Sequence, residues 1–360
     1  MSGDASRAWR ELRRNRAAVA CGLLLVAMYL AALGAEFLSP GPWDVEDPEH
    51  PFQPPSRVHV RDAAGRWVAP YVWATELSYG AAGDFRYREV PGRRFPIRWF
   101  STGEPYRWLG LIASRRHLAT VEPPARLAPL GTDAYGRDQL ARLLHGARVS
   151  LSVGILGVCI SLVLGSLVGG VAGYCGGPVD GGLMRLAEVV LSVPALYLVL
   201  ALRAVFPVAL PSVQVYMLTV LLLACVYWAG LARVIRGMVL GLRERDFVVA
   251  ARALGAGPLR ILVRHILPNT ASYLVVAATV SVPGYILGEV ALSYLGVGIQ
   301  EPHASWGNML RQAQNLSYMR SYPWVLSPGV AIFLAVMSFN FLGDGLRDAL
   351  DPRRASGGRA

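Results

Sequence analysis

The sequence predicts an all-α polytopic membrane protein, with six membrane-spanning helices and one small β-containing extracytoplasmic insert. Three observations carry that reading. The 360 residues are 54% hydrophobic and 16% charged, with a mean hydropathy of +0.39, whereas about 25% of residues are charged in an ordinary soluble domain. Six apolar runs have the roughly 20-residue length that a helix needs to cross a hydrocarbon core. All 35 basic residues are arginine, for a net charge of +11, and they are scattered between those runs rather than gathered on one polar face. That is a topology pattern rather than the single basic face of a nucleic-acid binder.

The runs are 17–37, 149–174, 186–202, 208–232, 270–300 and 323–343. The first follows an arginine-rich start and resembles a signal peptide, but its 21 residues favour an uncleaved anchor. Arginines 7, 10, 13, 14 and 16 precede it, seven more lie between 233 and 264, and Arg347, Arg353, Arg354 and Arg359 follow the last run. An even number of spans places all three groups, and both termini, on the cytoplasmic side. Cys21, Cys159, Cys175 and Cys225 lie in or beside spans with no CxxC pair. They read as small buried hydrophobes, with no disulfide framework and no metal site.

Between the first two runs, residues 39–130 hold 12 Arg against 10 acids, 13 of the 24 prolines and five of the nine tryptophans. Alternation at Val58 and Val60, a turn at 62–65, then Trp67 and Val68 predict one hairpin. Phe95, Ile97 and Trp99, a turn at 101–105, then Tyr106 and Trp108 predict a second. The insert is either a docking or lid surface for a soluble partner or a structural cap.

Within the spans, Gly157, Ser161, Gly165, Gly169 and Gly173 recur every four residues and leave one helix face nearly bare, so another backbone can pack closely on it. Glu188 and Glu289 are the acids well inside apolar runs. Such groups either line a substrate path or sit in structural pairs, for instance with Arg185 or Arg203. Pro194 and Pro283 interrupt the third and fifth runs and permit kinks.

The absence of lysine excludes a Walker A loop and a pyridoxal Schiff base. The six histidines are dispersed with no HExxH, and there is no G-x-S-x-G. No catalytic residue and no cofactor are therefore assigned.

The most informative segment is LGLRERDFVVAARALGAGPLRILVRHILPN, residues 240–269. It predicts a helix over 246–254, a glycine bend at Gly255 and Gly257, and a second helix begun by Pro258 and ended by Pro268. The segment resembles the EAA loop of ATP-binding-cassette (ABC) importer permeases. The family's positions fall on Val249, Ala250, Ala251, Gly255, His265, Leu267 and Pro268, with Val249 where Glu is usual and His265 where Ile is usual. The stretches LGTDAYGRDQLARLLHGARVSLSVGI (130–155), ALSYLGVGIQEPHASWGNML (291–310) and GDGLRDALDPRR (343–354) also resemble the C-type permease of the oligopeptide, dipeptide and nickel branch, with AEVVLSVPALYLVLAL (187–202) nearest the microcin/oligopeptide subgroup.

The resemblance implies a type I ABC importer transmembrane fold. It divides the chain into a cytoplasmic start and first helix (1–38), the insert (39–130), a permease domain (131–346) with its ATPase-coupling loop at 240–269, and a cytoplasmic tail (347–360). It implies a permease that takes up peptides or peptide-like solutes. The partners are a second, B-type permease, two ATPase subunits that use the ATP, an extracytoplasmic binding protein and membrane lipid, with no nucleic acid. The rival is an ion-gradient-driven secondary transporter, in which Glu188 and Glu289 carry protons. A nickel or nickel-chelate cargo lies within the same family.

Overall fold

The computed structural model describes residues 9–62, 64–80, 84–207 and 210–350. Among these residues, five helical stretches are long and apolar enough to cross a membrane, and a bent helix pair makes a sixth if it counts as one broken span. The chain divides into two compact units: residues 1–25, 152–289 and 334–360 in one, 26–151 and 290–333 in the other.

The first unit is helical. Its spine is the part of α3 (Gln139–Cys175) from Ser152 onward, packed against α6 (Ser212–Leu242). A β-carbon at Gly169 would stand 2.3 Å from the Ala232 carbonyl oxygen, and one at Gly173 2.7 Å from that of Arg236. At Gly157 it would meet the Tyr285 ring at 2.3 Å, and at Gly165 the Leu231 side chain at 2.8 Å. Ser161 shares this face, donating to the Ala224 carbonyl at 3.1 Å. The four-residue spacing thus places backbone against backbone along α3 and α6.

The third apolar run is broken. α4 (Gly177–Ser192) and α5 (Ala195–Ala204) meet at 92°. Val193 before Pro194 is extended, at ψ 132°, and Pro194 begins α5 with no N–H to give. Pro283, by contrast, lies inside an uninterrupted α9 (Ala271–Tyr294). The cysteines correct the sequence reading. Cys21 is half-buried and the other three lie exposed on this chain, all as free thiols. On a membrane helix an apolar face turned toward lipid leaves water without entering a protein core.

The second unit carries the insert. α1 (Arg16–Leu33) ends in it, followed by the short α2 (Ala35–Leu38). The first hairpin joins β1 (His59–Arg61) to β2 (Trp67–Tyr79). Asp62 holds its turn, accepting from the backbone N–H groups of Ala64 and Arg66, both at 2.9 Å. The long β2 pairs next with β3 (Phe85–Pro96), giving a three-stranded antiparallel sheet.

The second expected hairpin is corrected. Residues 101–105 lie within strand β4 (Arg98–Trp108), which pairs with β5 (Ile112–Thr120). The register shift between Thr102 and Tyr106 absorbs the Gly-Glu-Pro stretch as an irregularity within the ladder. The reversal falls at Leu109 and Gly110, at φ 51° and 75°, with the Leu111 N–H donating to the Trp108 carbonyl at 2.9 Å. Two positive φ values in a two-residue loop are what a type I′ turn needs. Val72, Phe95, Ile97, Ala125 and Leu127 form the lobe's small core.

The prediction from this packing is a sign difference between two glycines. Gly169→Ala pushes a methyl group into a carbonyl that cannot retreat and destabilises the protein by about 1–3 kcal/mol. Gly182→Ala, a helical site with nothing within 4 Å, stabilises by up to about 1 kcal/mol. Thermal unfolding of the two variants in one detergent checks both signs.

Candidate functional site

The segment 240–269 folds as a helix, a turn and a second helical arm, all within the first unit. α7 (Asp246–Ala253) begins with an acid in its first turn, where the helix dipole favours one. It ends in a Schellman arrangement: the Ala256 N–H donates to the Ala251 carbonyl at 3.1 Å and the Gly255 N–H to that of Arg252 at 3.0 Å. Gly255 sits at φ +79°, a conformation that costs a residue with a β-carbon.

After Gly257, Pro258 opens α8 (Pro258–Ile261), which runs on through a π turn at Leu262–Ile266 and a 3-10 turn at Leu267–Thr270 into α9. Pro268 therefore does not end the second helix as the sequence suggested. The wider π turn takes up the break that a proline without N–H makes in the ladder. The Asn269 side chain donates to the His265 carbonyl at 2.6 Å.

The hairpin has two faces. Val248 and Ala251 are buried with Ile261, Leu262 and Ile266 against Ile235 and Val239 of α6, and Leu267 packs on the rim of that cluster. Val249, Ala250, Gly255 and Pro268 are exposed, His265 is half-buried, and Leu254 is 88% and Leu259 72% exposed. The resemblance-derived positions thus divide: Ala251 and Leu267 serve the core, while Val249, Ala250 and Gly255 lie on the outward surface. Below the hairpin, the Arg236 guanidinium grips the Asp180 carboxylate with two nitrogens, Nη2 at 2.6 Å from Oδ2. Arg243 donates to the Gly173 carbonyl at 3.2 Å.

Between α3, α6 and α9 lies a cavity of about 370 Å³, lined among others by Ser161, Tyr227, Tyr273, Ser281 and Tyr285. The Tyr285 hydroxyl donates to Ser161, and the Tyr227 and Tyr285 rings meet edge to face at 4.9 Å. Among the described residues, no charged side chain lines it. Glu188 is exposed and paired with Arg185 at 2.9 Å, one of the structural partners anticipated from sequence. Glu289 is fully buried and engaged in contacts of its own. Neither belongs to the cavity wall.

In the second unit the motifs at 130–155 and 291–310 meet through ions that the sequence reading did not single out. Arg137 donates to Asp133 at 2.8 Å and to Glu301 at 2.6 Å. Arg142 reaches both Glu301 oxygens, at 2.9 and 3.0 Å. Both arginines and Asp133 are buried. Trp306 closes the junction, its indole N–H donating to the Leu143 carbonyl at 3.1 Å. The available signal was four charges inside motifs that flank apolar runs, where an unpaired ion would be costly.

Asp138 caps the start of α3, accepting from the Ala141 N–H at 2.6 Å. Its other oxygen is buried with no hydrogen-bond partner among the described residues. Burial pushes its carboxyl up to about 6.

A multi-pass helical bundle with a cavity among its spans and a rigid helical hairpin welded to two of them is the architecture of a membrane permease. Residues 162–356, more than half of the chain, match the family described as binding-protein-dependent transport system inner membrane component. Residues 5–55 match the N-terminal transmembrane domain of oligopeptide transport permease C. The chain belongs to the family of binding-protein-dependent transport inner-membrane components.

Among its relatives, the oligopeptide transport system permease protein OppC of Haemophilus influenzae is 42% identical over 224 residues, covering 62% of this chain and 70% of that one. The dipeptide transport system permease protein DppC of Bacillus subtilis is 40% identical over 233 residues, covering 64% and 70%. The di/tripeptide permease DppC of Pseudomonas aeruginosa is 42% identical over 225 residues, covering 62% and 72%. An inward-facing MetNI methionine ABC transporter structure aligns at a TM-score of 0.42 and 21% identity over 58% of this chain and 96% of that chain.

Two predictions follow the ions. Glu301→Gln leaves two buried guanidiniums short of a counter-charge and costs about 3 kcal/mol, the low end for a broken buried pair, because Glu301 is itself 37% exposed; a lowered melting temperature checks it. Asp138 holds its proton more tightly folded than unfolded, where a carboxyl titrates near about 3.9. The folded state therefore binds more protons between about 4 and about 6, and stability rises as pH falls through that window. Asp138→Asn keeps the cap acceptor and removes the charge, so melting curves from pH 5 to 7 flatten relative to the parent.

Proposed function

We propose that this chain is the C-type permease subunit of an ABC importer for peptides or peptide-like solutes, working beside a second permease, two ATPase subunits and an extracytoplasmic binding protein. Its termini and the hairpin at 240–269 face the cytoplasm, and the insert faces the opposite side, as the arginine flanks suggest. ATP is hydrolysed in the partner subunits.

The observation that carries the reading is the two-faced hairpin. Its inner face shares one core with α6 and the start of α9, so a force on the outer face moves those spans rather than bending a loop. The outer face exposes Val249, Ala250 and Leu254 among the arginines 245, 252 and 260. In this reading it fills a groove on the ATPase, and closure of the ATPase pair around ATP shifts the bundle between two packings. Val249 in place of an acid makes the contact one of shape and apolar burial at that position.

The uncharged cavity among α3, α6 and α9 is the proposed passage, offering tyrosine and serine hydroxyls to peptide groups without selecting a side-chain charge. Glu188 and Glu289 then act as structural groups.

Replacing Gly255, at φ +79°, by valine strains the turn and misplaces the outer face. The expected outcome is an assembled complex whose ATP-driven peptide uptake falls at least tenfold, with the chain's melting temperature lowered only modestly. Uptake that persists without ATP and collapses with the proton gradient would move the assignment to a secondary transporter.

A further inference from the structure

The β4–β5 hairpin of the insert is unlike the rest of the lobe. Its tip, the five residues 108–112, reads Trp-Leu-Gly-Leu-Ile and turns its side chains outward: Leu111 is 84% and Ile112 57% exposed, and Phe100 on the same hairpin is 68% exposed. Three exposed arginines, 107, 115 and 116, flank the tip, and no acid occurs from 105 to 116. Loop tips of soluble lobes are ordinarily polar, so a contiguous apolar tip marks a contact.

The position of the tip identifies the contact. The Trp108 indole N–H donates to the Leu33 carbonyl at 2.8 Å. The Leu109 N–H donates to Glu36 at 3.3 Å, and the Phe100 and Phe37 rings lie 6.2 Å apart. Leu33 is the last residue of α1, a candidate span of 18 residues, which at about 1.5 Å per residue just covers the hydrocarbon core. The tip is therefore held at the height where α1 leaves the bilayer. There, tryptophan and aliphatic side chains partition into the interface and arginine meets lipid phosphate. Arg107 and Arg115, with Tyr106 and Ser114, border an open groove of about 580 Å³ beside the tip.

We propose that the β4–β5 hairpin is a membrane-interface anchor: residues 108–112 enter the headgroup region of the leaflet at the C-terminal end of α1, and Arg107 and Arg115 hold an anionic phospholipid headgroup in the adjoining groove. In the orientation proposed above that leaflet is the outer one. The insert is then fixed on the bilayer as well as on the end of α1, and a partner approaching it meets a platform of fixed height.

The test uses the whole complex in nanodiscs of phosphatidylcholine mixed equally with phosphatidylglycerol. p-Benzoyl-phenylalanine is introduced in place of Leu111 and, for comparison, of Tyr79, which is 71% exposed at the end of β2. On irradiation the probe at 111 is expected to give chain-plus-phospholipid adducts at several times the yield at 79. Adducts from 111 to the second permease, the binding protein or another copy of this chain, or lipid yields equal at the two positions, would overturn the proposal. Arg107→Gln with Arg115→Gln is expected to abolish the enrichment of phosphatidylglycerol over phosphatidylcholine among the adducts at 111; unchanged enrichment would remove the arginines from it. Neither readout depends on what the complex transports, so failure here leaves the peptide-import reading standing, and failure of that reading leaves the anchor standing.

Discussion

The close approach of α3 to α6 is the contact on which the helical unit depends. At Gly169 and Gly173 the neighbour is a backbone carbonyl of α6, which has no rotamer to change, so this line of contact cannot loosen by side-chain adjustment. The α6 residues just beyond it, Ile235 and Val239, form the floor on which Val248 and Ala251 of the hairpin rest. A displacement of α7 therefore reaches α3 through two rigid contacts in series. Coupling by packing needs this property, because close-packed interiors transmit strain rather than absorb it.

The same dependence explains the irregular helix after the hairpin. Ile261, Leu262 and Ile266 must all face the shared core, although Pro268 interrupts the hydrogen-bond ladder just beyond them. A π turn followed by a 3-10 turn keeps those three side chains on one side while the backbone passes the proline. A clean helix end there would have released Leu262 and Ile266 from the floor beneath α7.

Period and composition made the spans legible, because one helix crossing lipid needs only its own twenty or so apolar residues. The bend at Gly255 was legible as well, since glycine before a Gly-Pro pair leaves the chain few alternatives. What the sequence hid depends on partners far along the chain. The β2–β3 ladder, the longest pairing in the lobe, runs through Arg86, Arg88 and Glu89, and the alternation of Phe85 and Tyr87 with those arginines is too short to announce a strand of 12 residues. The turn at Leu109 and Gly110 lacks the Asn-Gly or Asp-Gly signal of a two-residue hairpin, whereas Ser-Thr-Gly-Glu-Pro at 101–105 looked like one. The ion cluster was only half legible: four charges inside motifs that flank apolar runs call for partners, but Glu301 meets Arg137 and Arg142 across some 160 residues of sequence, and nothing local names which charge meets which.

The lysine-free composition finds its physical sense in what the arginines touch. Arg148 donates to the Leu33 carbonyl at 2.7 Å, to Glu36 at 2.6 Å and also to the Ala32 carbonyl, so one side chain satisfies the open end of α1 and its counter-ion together. Arg142 binds Glu301 through both oxygens, and Arg236 grips Asp180 with two nitrogens. Each task needs several donors in a fixed plane and a charge that survives partial burial, which a guanidinium supplies and an ammonium does not. Where α1 ends, this chemistry concentrates: Arg148 of α3 and Trp108 of β4 both donate to the Leu33 carbonyl. That carbonyl, at the C-terminal end of its helix, would otherwise have to find another donor. Claimed by two side chains, it fixes the lobe to the end of the span.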